Sequence, residues 1–389
     1  MMHLFINSLA ASAGGGLTYI RNVIPHLSAH PNGRITVALS PRFRSDLYDD
    51  PKVDFLELEI PSARRFWYEQ RILPEVIRRS GANVLLSAGN FAIRRSPIPQ
   101  ILLSRNSIYT SRDFSHDLWL RGEYRMLLDT RARAVLARKS VHWADISVAP
   151  STAFATELEH WTGRKVNVIY HGFDREAFTQ DSAQLPSDVR LKLDTAQGSF
   201  KILFVSHYNY YRNFETLIRS LPLLRTRFAG RPVRLLLTCE LAAGKNPGAY
   251  RPDSAARLIK QLGVSDMVVE LGAISYTKLH QLYALANVYV TPAYTETFAH
   301  PLVEAMSSGL PIVASDIAVH REICGEAAQY FARFSSDTLA QSVAVVAERA
   351  DTKKAMVTAG LSRATQFSWK KHVEQILDLS EELIGRTMR

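Results

Sequence analysis

The chain has 389 residues, 47% of them apolar, and 47 Lys and Arg against 37 Asp and Glu give a net charge of +10. That length favours two domains, and the apolar content excludes wholesale disorder. Two cysteines, Cys239 and Cys324, exclude a disulfide framework and fit no zinc spacing, and no run approaches the ~20 apolar residues of a membrane span.

The first residues, MMHLFINSLAASAGGG, resemble a signal peptide in composition but lack a basic start, and Asn7 and Ser8 break their apolar run. His3–Ser8 therefore reads as a first β-strand, and the protein is expected in the cytoplasm. Short β-branched or leucine-rich runs follow at Ile35–Leu39, Val84–Ser87, Gln100–Ser104, Ile146–Ala149 and Val166–Tyr170. A second set lies at Lys201–Val205, Arg234–Thr238, Val268–Leu271, Val288–Thr291 and Pro311–Ala314. Helical stretches separate them, which predicts an α/β chain with two parallel, doubly wound sheets and ligand crevices at the strand C-termini. The polar stretch Asp181–Gly198, with Pro186, is the expected boundary. The predicted domains are thus 1–180 and 181–366. From 367 to 389 the tail spaces Trp369, Val373, Ile376, Leu377, Leu379 and Leu383 as one helix.

The basic excess falls in the first half. One region holds Arg64, Arg65, Arg71, Arg78 and Arg79, and a second runs from Arg112 through Arg121, Arg125, Arg131, Arg133 and Arg138 to Lys139. Phe66, Trp67, Tyr68, Phe114, Trp119 and Tyr124 are interleaved with them. A solvated helix face, an anionic membrane surface and nucleic acid are the three readings. No nucleic-acid motif is present, so nucleic acid is not expected as a partner and the membrane surface leads the functional readings.

The stretch Tyr294–Pro311, YTETFAHPLVEAMSSGLP, carries the most chemistry. Pro292 ends a strand, Pro301 suits the first position of a helix, and Gly309 stops that helix. Ala293–His300 is then a loop at a sheet's C-terminal edge, where free N–H groups and the helix dipole favour an anion. Glu304, one turn into the helix, is placed to accept hydrogen bonds from vicinal hydroxyls such as a ribose offers. Glu296 lies across the loop, placed to grip a second sugar. An anion flanked by two hydroxyl acceptors describes a nucleotide sugar, although either glutamate alone would read as a solvated or capping carboxylate.

Glu296 and Glu304, seven residues apart and followed by Ala305-Met306, Gly309 and Pro311-Ile312-Val313-Ala314-Ser315, resemble the signature of retaining GT-B glycosyltransferases, glycosyltransferase family 4 (glycosyl transferases group 1). The likeness runs over most of the chain. Gly14-Gly15-Gly16 resembles the family's N-terminal glycine loop. Pro150-Ser151 resembles the end of the last acceptor-domain strand. Val168–Asp174 with Phe178 resembles the interdomain segment, with His171 where the family usually has Asn. Phe204–His207 with Arg212-Asn213 resembles the phosphate-binding strand and loop.

The resemblance implies a GT-B fold: two Rossmann-like domains facing across a cleft, an acceptor-binding one followed by a nucleotide-sugar-binding one, with the C-terminal helix crossing back to the first. It implies that Glu296 contacts donor-sugar hydroxyls, that Glu304 holds the ribose, and that the backbone of Phe298, Ala299 and His300 binds the distal phosphate. Gly15 and Gly16 would let the first domain approach the diphosphate, and Gly272 lies where the base meets backbone. The family's Arg and Lys clamp falls on His207 and Arg212. Arg212 keeps a permanent charge, whereas His207 does not. Tyr208, Tyr210 and Tyr211 either supply hydroxyl donors there or pack. The family's His-Asp after the fourth strand is replaced by Ser104-Arg105-Asn106, which makes Arg105 and Asn106 acceptor-side candidates.

No Asp-x-Asp occurs, so no metal and no cofactor are expected, with Arg212 and a helix N-terminus stabilising the leaving diphosphate. The expected reaction moves a hexose from a nucleoside diphosphate sugar to an acceptor hydroxyl with retention, by front-face attack, in surface polysaccharide or glycolipid assembly. Expected partners are the nucleotide sugar, a glycan or lipid-linked acceptor and an anionic membrane. The alternatives are a non-transferase GT-B enzyme such as a nucleotide-sugar epimerase, a non-catalytic nucleotide-sugar binding protein, and a nucleic-acid-binding protein that would leave the second-half motifs unexplained.

Overall fold

The computed structural model describes residues 2–11, 15–29, 33–47, 50–246 and 250–387. The chain divides into two compact units, Met1–Gly172 with Ser368–Arg389, and Phe173–Phe367.

The first unit is built on seven parallel strands: β1 (Met2–Asn7), β2 (Gly33–Leu39), β3 (Val53–Glu57), β4 (Val84–Ser87), β5 (Gln100–Leu103), β6 (Ile146–Ala149) and β7 (Asn167–Val168). Their order is β3-β2-β1-β4-β5-β6-β7, so the winding reverses between β1 and β4. Every residue of β1 is buried, which is why it reads as a continuous apolar run, since helices cover both faces of a parallel sheet. The helix Gly15–Ser28 turns Tyr19, Ile20, Val23, Ile24 and Leu27 inward at the three- and four-residue spacing of one face. Burying each such side chain is worth about 1.5–3 kcal/mol.

The C-terminal helix Trp369–Thr387 belongs to this unit, and its Trp369, Val373, Ile376, Leu377 and Leu383 share one core cluster with β1, β2 and the helix Gly15–Ser28. Two polar contacts fix its register. His372 Nε2 meets Tyr19 Oη at 3.0 Å, and its Nδ1 meets the Tyr170 carbonyl at 2.8 Å. A Cβ on Gly172 would lie 2.0 Å from the Trp369 nitrogen, so only glycine lets the tail pass there.

The second unit has six parallel strands: β8 (Phe200–Phe204), β9 (Val233–Leu237), β10 (Val268–Glu270), β11 (Val288–Thr291), β12 (Ile312–Ser315) and β13 (Ala328–Phe331). Their order is β10-β9-β8-β11-β12-β13, with the reversal between β8 and β11. The polar stretch 181–198 lies inside this unit and carries the short helix Ser187–Asp194. Two strands absent from the sequence reading, β3 and β13, are outermost in their sheets and only partly buried. Edge strands need no unbroken apolar run, so VDFLE and AQYF carried too little signal. Among the described residues no helix is long and apolar enough to cross a membrane.

Candidate functional site

In a doubly wound sheet the loops leaving the two strands at the reversal point splay apart and open a crevice. In the second unit those loops follow β8 and β11, and they carry most of the residues singled out from the sequence. The loop after β8 passes His207, makes a tight 3-10 turn at Tyr210–Arg212 and enters the helix Phe214–Arg227 through Asn213, whose φ is +54°. Asparagine tolerates that left-handed conformation better than most residues. The Asn213 side-chain amide donates to the Pro292 carbonyl at 3.1 Å, and the Tyr294 N–H donates to the Tyr211 carbonyl at 3.1 Å. These two bonds stitch the loops together just beyond the strand ends.

Across this seam Arg212 Nη1 donates to Glu296 Oε1 in an ion pair, with Arg212 only 20% and Glu296 9% exposed. The Arg212 guanidinium also lies 5.2 Å from the centroid of the Tyr211 ring. His207 is exposed on the same loop. Desolvation and then the charge of Arg212 push its imidazole below the ordinary 6.5, so it is mostly uncharged at pH 7. Tyr208 and Tyr210 are packing residues. Both are buried, and the Tyr208 hydroxyl is committed to Glu215 at 2.8 Å.

The helix His300–Ser307 begins at Ala299, a non-glycine residue with φ +63°, and has Pro301 in its first turn and no side-chain cap. This backbone costs energy at Ala299, and it aims the helix N-terminus, with its partial positive charge, at the crevice. Phe298 is buried and packs edge-on against His300 at 5.0 Å and Phe367 at 5.3 Å, so any ligand contact at Phe298 is through its backbone. Glu304 is 4% exposed, and burial pushes its carboxyl up to about 7 against the opposing hydrogen bond from Tyr283. The Tyr283 hydroxyl, from the helix Leu279–Leu285, donates to Glu304 Oε2 at 2.7 Å.

Gly272 follows β10 with φ +83°. It lies two strands from β8, at the end of the same sheet edge.

Sequence reasoning missed Tyr283 and His320. Tyr283 had no signal beyond helical periodicity. His320 is fully buried, receives no solvent, and is held by Ser315, whose carbonyl lies 3.0 Å from its Nδ1. Burial pushes it down to about 4, and its Nε2 has no hydrogen-bond partner among the described residues.

The remaining candidates belong to the first unit. Gly15 and Gly16 open the helix Gly15–Ser28, and a Cβ on Gly16 would meet the Ala11 Cα at 3.0 Å, so a side chain there would crowd Ala11. Gly14 lies outside the described residues. Arg105 follows β5. Its guanidinium sits 4.7 Å from the Tyr19 ring centroid, and Nη2 donates to the Ala88 carbonyl at 2.6 Å. Desolvation pushes Arg105 down to about 10, leaving it charged at pH 7. The structure thus brings Arg105 onto the helix that Gly15 and Gly16 begin. Asn106 caps the turn Ser107–Tyr109 by accepting from the Ile108 N–H at 3.3 Å.

The basic regions are mixed. Arg78 and Arg79 pair with Glu75, Arg121 with Asp117, and Arg133 with Asp129, as on an ordinary solvated helix. Phe114 is buried, whereas Trp67, Trp119 and Tyr124 are 58%, 56% and 58% exposed. Among the described residues no group of three or more acidic, histidine or cysteine side chains is placed to hold a metal.

Residues 188–363 match the family model described as glycosyl transferases group 1. The D-inositol 3-phosphate glycosyltransferase of Corynebacterium aurimucosum is 26% identical over 256 residues, 64% of this chain and 59% of that protein. The chain spans about half the length of the curated relatives it matches. Among solved structures, the sucrose-phosphate synthase of Thermosynechococcus elongatus superposes with a TM-score of 0.76 at 17% identity, over 99% of this chain and all of that one. HepE of Anabaena in complex with UDP-glucose superposes at 0.74 with 18% identity, over 98% and 100%. These likenesses establish the fold.

Proposed function

We propose that the protein, whose residues 188–363 match the family model of glycosyl transferases group 1 within a chain of GT-B fold, is a retaining, metal-independent hexosyltransferase using a nucleoside diphosphate sugar. The observation that carries this reading is the convergence of Arg212, Glu296 and an uncapped helix N-terminus at the reversal point of the second sheet. A guanidinium and a helix N-terminus stabilise the charge that develops on a departing diphosphate. Arg212 and the backbone at Phe298–His300 bind that diphosphate, with His207 as a further donor beside them. Glu296 orients the donor-sugar hydroxyls, and Glu304, held by Tyr283, accepts from the ribose. Gly272 gives the base a backbone edge. Attack comes from the front face, and the leaving phosphate takes the acceptor proton.

The donor is a UDP-sugar in this reading, in keeping with the HepE complexes with UDP and UDP-glucose. The acceptor hydroxyl belongs to a glycan or lipid-linked saccharide, with Arg105 a binding residue and Asn106 its positioning neighbour. The exposed Trp67, Trp119, Leu120, Tyr124 and Leu128, set among arginines, support peripheral contact with an anionic membrane at its cytoplasmic face during surface polysaccharide or glycolipid assembly. Flotation with vesicles that shows no preference for anionic lipid would remove that part.

Calorimetric titration with UDP, GDP, ADP and dTDP tests the site. The expected result is binding of UDP in preference to the others, lost in Arg212→Ala and in Glu304→Ala. Binding without any turnover of the matching nucleotide sugars would turn the reading to a carrier, and donor conversion without an acceptor would turn it to an epimerase.

A further inference from the structure

The first unit contains a small pocket that none of the roles above uses. It has a volume of about 110 Å³ and lies at the C-terminal ends of β1, β2 and β3. As bounded by the described residues, its polar wall is made by Ser40 and Arg42 after β2 and by Ser62 and Arg65 on the helix Ser62–Arg71, with Phe43 and Leu58 as apolar neighbours. Ligand clefts begin at roughly 300 Å³, so this pocket fits one functional group of a ligand.

The wall is electropositive for three separate reasons. Arg65 lines the pocket, and its Nε is buried without a hydrogen-bond partner among the described residues. Arg42 is exposed at the rim, steadied by its contact with Ser40 Oγ at 3.3 Å and by the Phe43 ring 5.4 Å away. The helix Ser62–Arg71 starts at Pro61 with no side-chain cap, and its first residue lines the pocket, so its dipole adds positive potential. One carboxyl lies nearby: Glu69, 4% exposed, accepts from Asn7 Nδ2 at 3.2 Å, and burial pushes it above the usual carboxylate range against the charge of Arg65. Arg44 is engaged elsewhere, 3.9 Å from Glu57. Two guanidiniums, two hydroxyls and a helix start against a single buried carboxylate leave room for one more negative charge. A buried guanidinium donor left unmatched costs more than one that is matched.

We propose that this pocket is an oxyanion subsite that holds a phosphomonoester or carboxylate group of the acceptor, with Arg65 as the buried donor and Arg42 as the rim donor. The assignment to the acceptor rests on the transferase reading. The pocket itself does not.

The test uses the full chain and reads Arg42, which is exposed. Phenylglyoxal modification of Arg42 is followed by peptide mass spectrometry against rising inorganic phosphate in one arm and acetate in the other. Saturable protection is expected in at least one arm. Tighter protection by phosphate identifies a phosphomonoester, and tighter protection by acetate a carboxylate. Arg65→Gln should weaken protection roughly tenfold or more, Arg65→Lys should recover part of it, and Arg212→Ala should leave it unchanged. Thermal melting of each variant checks folding. No protection by either anion, or equal protection in Arg65→Gln, overturns the subsite. Nucleotide titration of the same samples separates the two claims. Nucleotide binding without Arg42 protection sinks the subsite alone, and protection without nucleotide binding sinks the transferase reading and leaves an anion site.

Discussion

Arg212 and Glu296 lie 84 residues apart in the chain and form an ion pair across the loops that leave β8 and β11. Each neutralises the other in a largely buried setting, and a donor diphosphate would compete with Glu296 for the same guanidinium. Breaking such a pair from one side strands a charge. Arg212→Ala and Glu296→Ala should each lower the unfolding midpoint of the second unit, and the double variant should lower it by less than the sum. Arg212→Ala should also weaken nucleotide binding by roughly tenfold to a hundredfold. Additive melting shifts would show that the pair carries no coupling.

Glu304 has its carboxyl raised from 4.5 to about 7 by burial. A carboxyl raised on folding contributes stability that is full below about 4.5 and is lost as pH climbs through about 7, on the order of 3 kcal/mol in all. Glu304→Gln should therefore flatten the decline of the melting temperature between pH 5 and 8, which differential scanning calorimetry reads. Ribose hydroxyls donating to Glu304 favour its ionised form, so nucleotide binding near pH 7 should release a proton. Calorimetry in two buffers of different ionisation enthalpy checks this, and identical heats would count against the ribose role.

Tyr283 opposes that shift through its hydrogen bond to Glu304. Tyr283→Phe keeps the ring and removes the donor. Nucleotide affinity should fall by about threefold to tenfold, in line with about 1 kcal/mol for one hydrogen bond, and the proton released on binding at pH 7 should increase. An unchanged affinity would leave Tyr283 a packing residue only.

His207 is held below 6.5 by desolvation and by Arg212. A depressed histidine contributes stability above its unfolded pKa that is lost as pH falls through the folded value. A bound diphosphate reverses the preference, so nucleotide binding should tighten as pH drops from 8 to 6. His207→Arg should remove this dependence and tighten binding most at the alkaline end. A wild-type affinity that is flat with pH would take His207 out of the diphosphate contacts.

Gly172 leaves no space for a side chain beneath Trp369. Gly172→Ala should detach or shift the C-terminal helix and lower the melting temperature of the first unit. Gaining fluorescence sensitivity of Trp369 to an aqueous quencher would report the detachment. Ser80→Ala, at the end of the helix Leu73–Ser80, whose hydroxyl bonds only locally, to the Ile77 carbonyl and the Ala82 N–H, is a control that should leave both readouts close to wild type.

Much of the architecture was legible along the chain, because it depends on patterns within a few neighbouring residues. Buried parallel strands read as apolar runs, Pro301 and Gly309 bracket a helix, and the spacing from Trp369 to Leu383 marks the last one. The pair Glu296 and Glu304 was legible for the same reason, since a single loop and helix turn connect them. Edge strands β3 and β13 were not, because half-exposed strands need no apolar pattern.

The sequence by itself thus determined two doubly wound sheets, a βα loop suited to an anion, and the chemical types gathered near it. Only the tertiary structure decided which of those groups are matched. It joined Arg212 to Glu296 and Tyr283 to Glu304, buried the hydroxyl of Tyr208 against Glu215, left Asn106 as a turn cap, and buried the Nε of Arg65 without a partner beside a pocket. These outcomes depend on through-space distances between residues far apart in the chain. A carboxylate's pKa and a guanidinium's partner follow from burial and from charges a few ångströms away, and neither is encoded in local spacing.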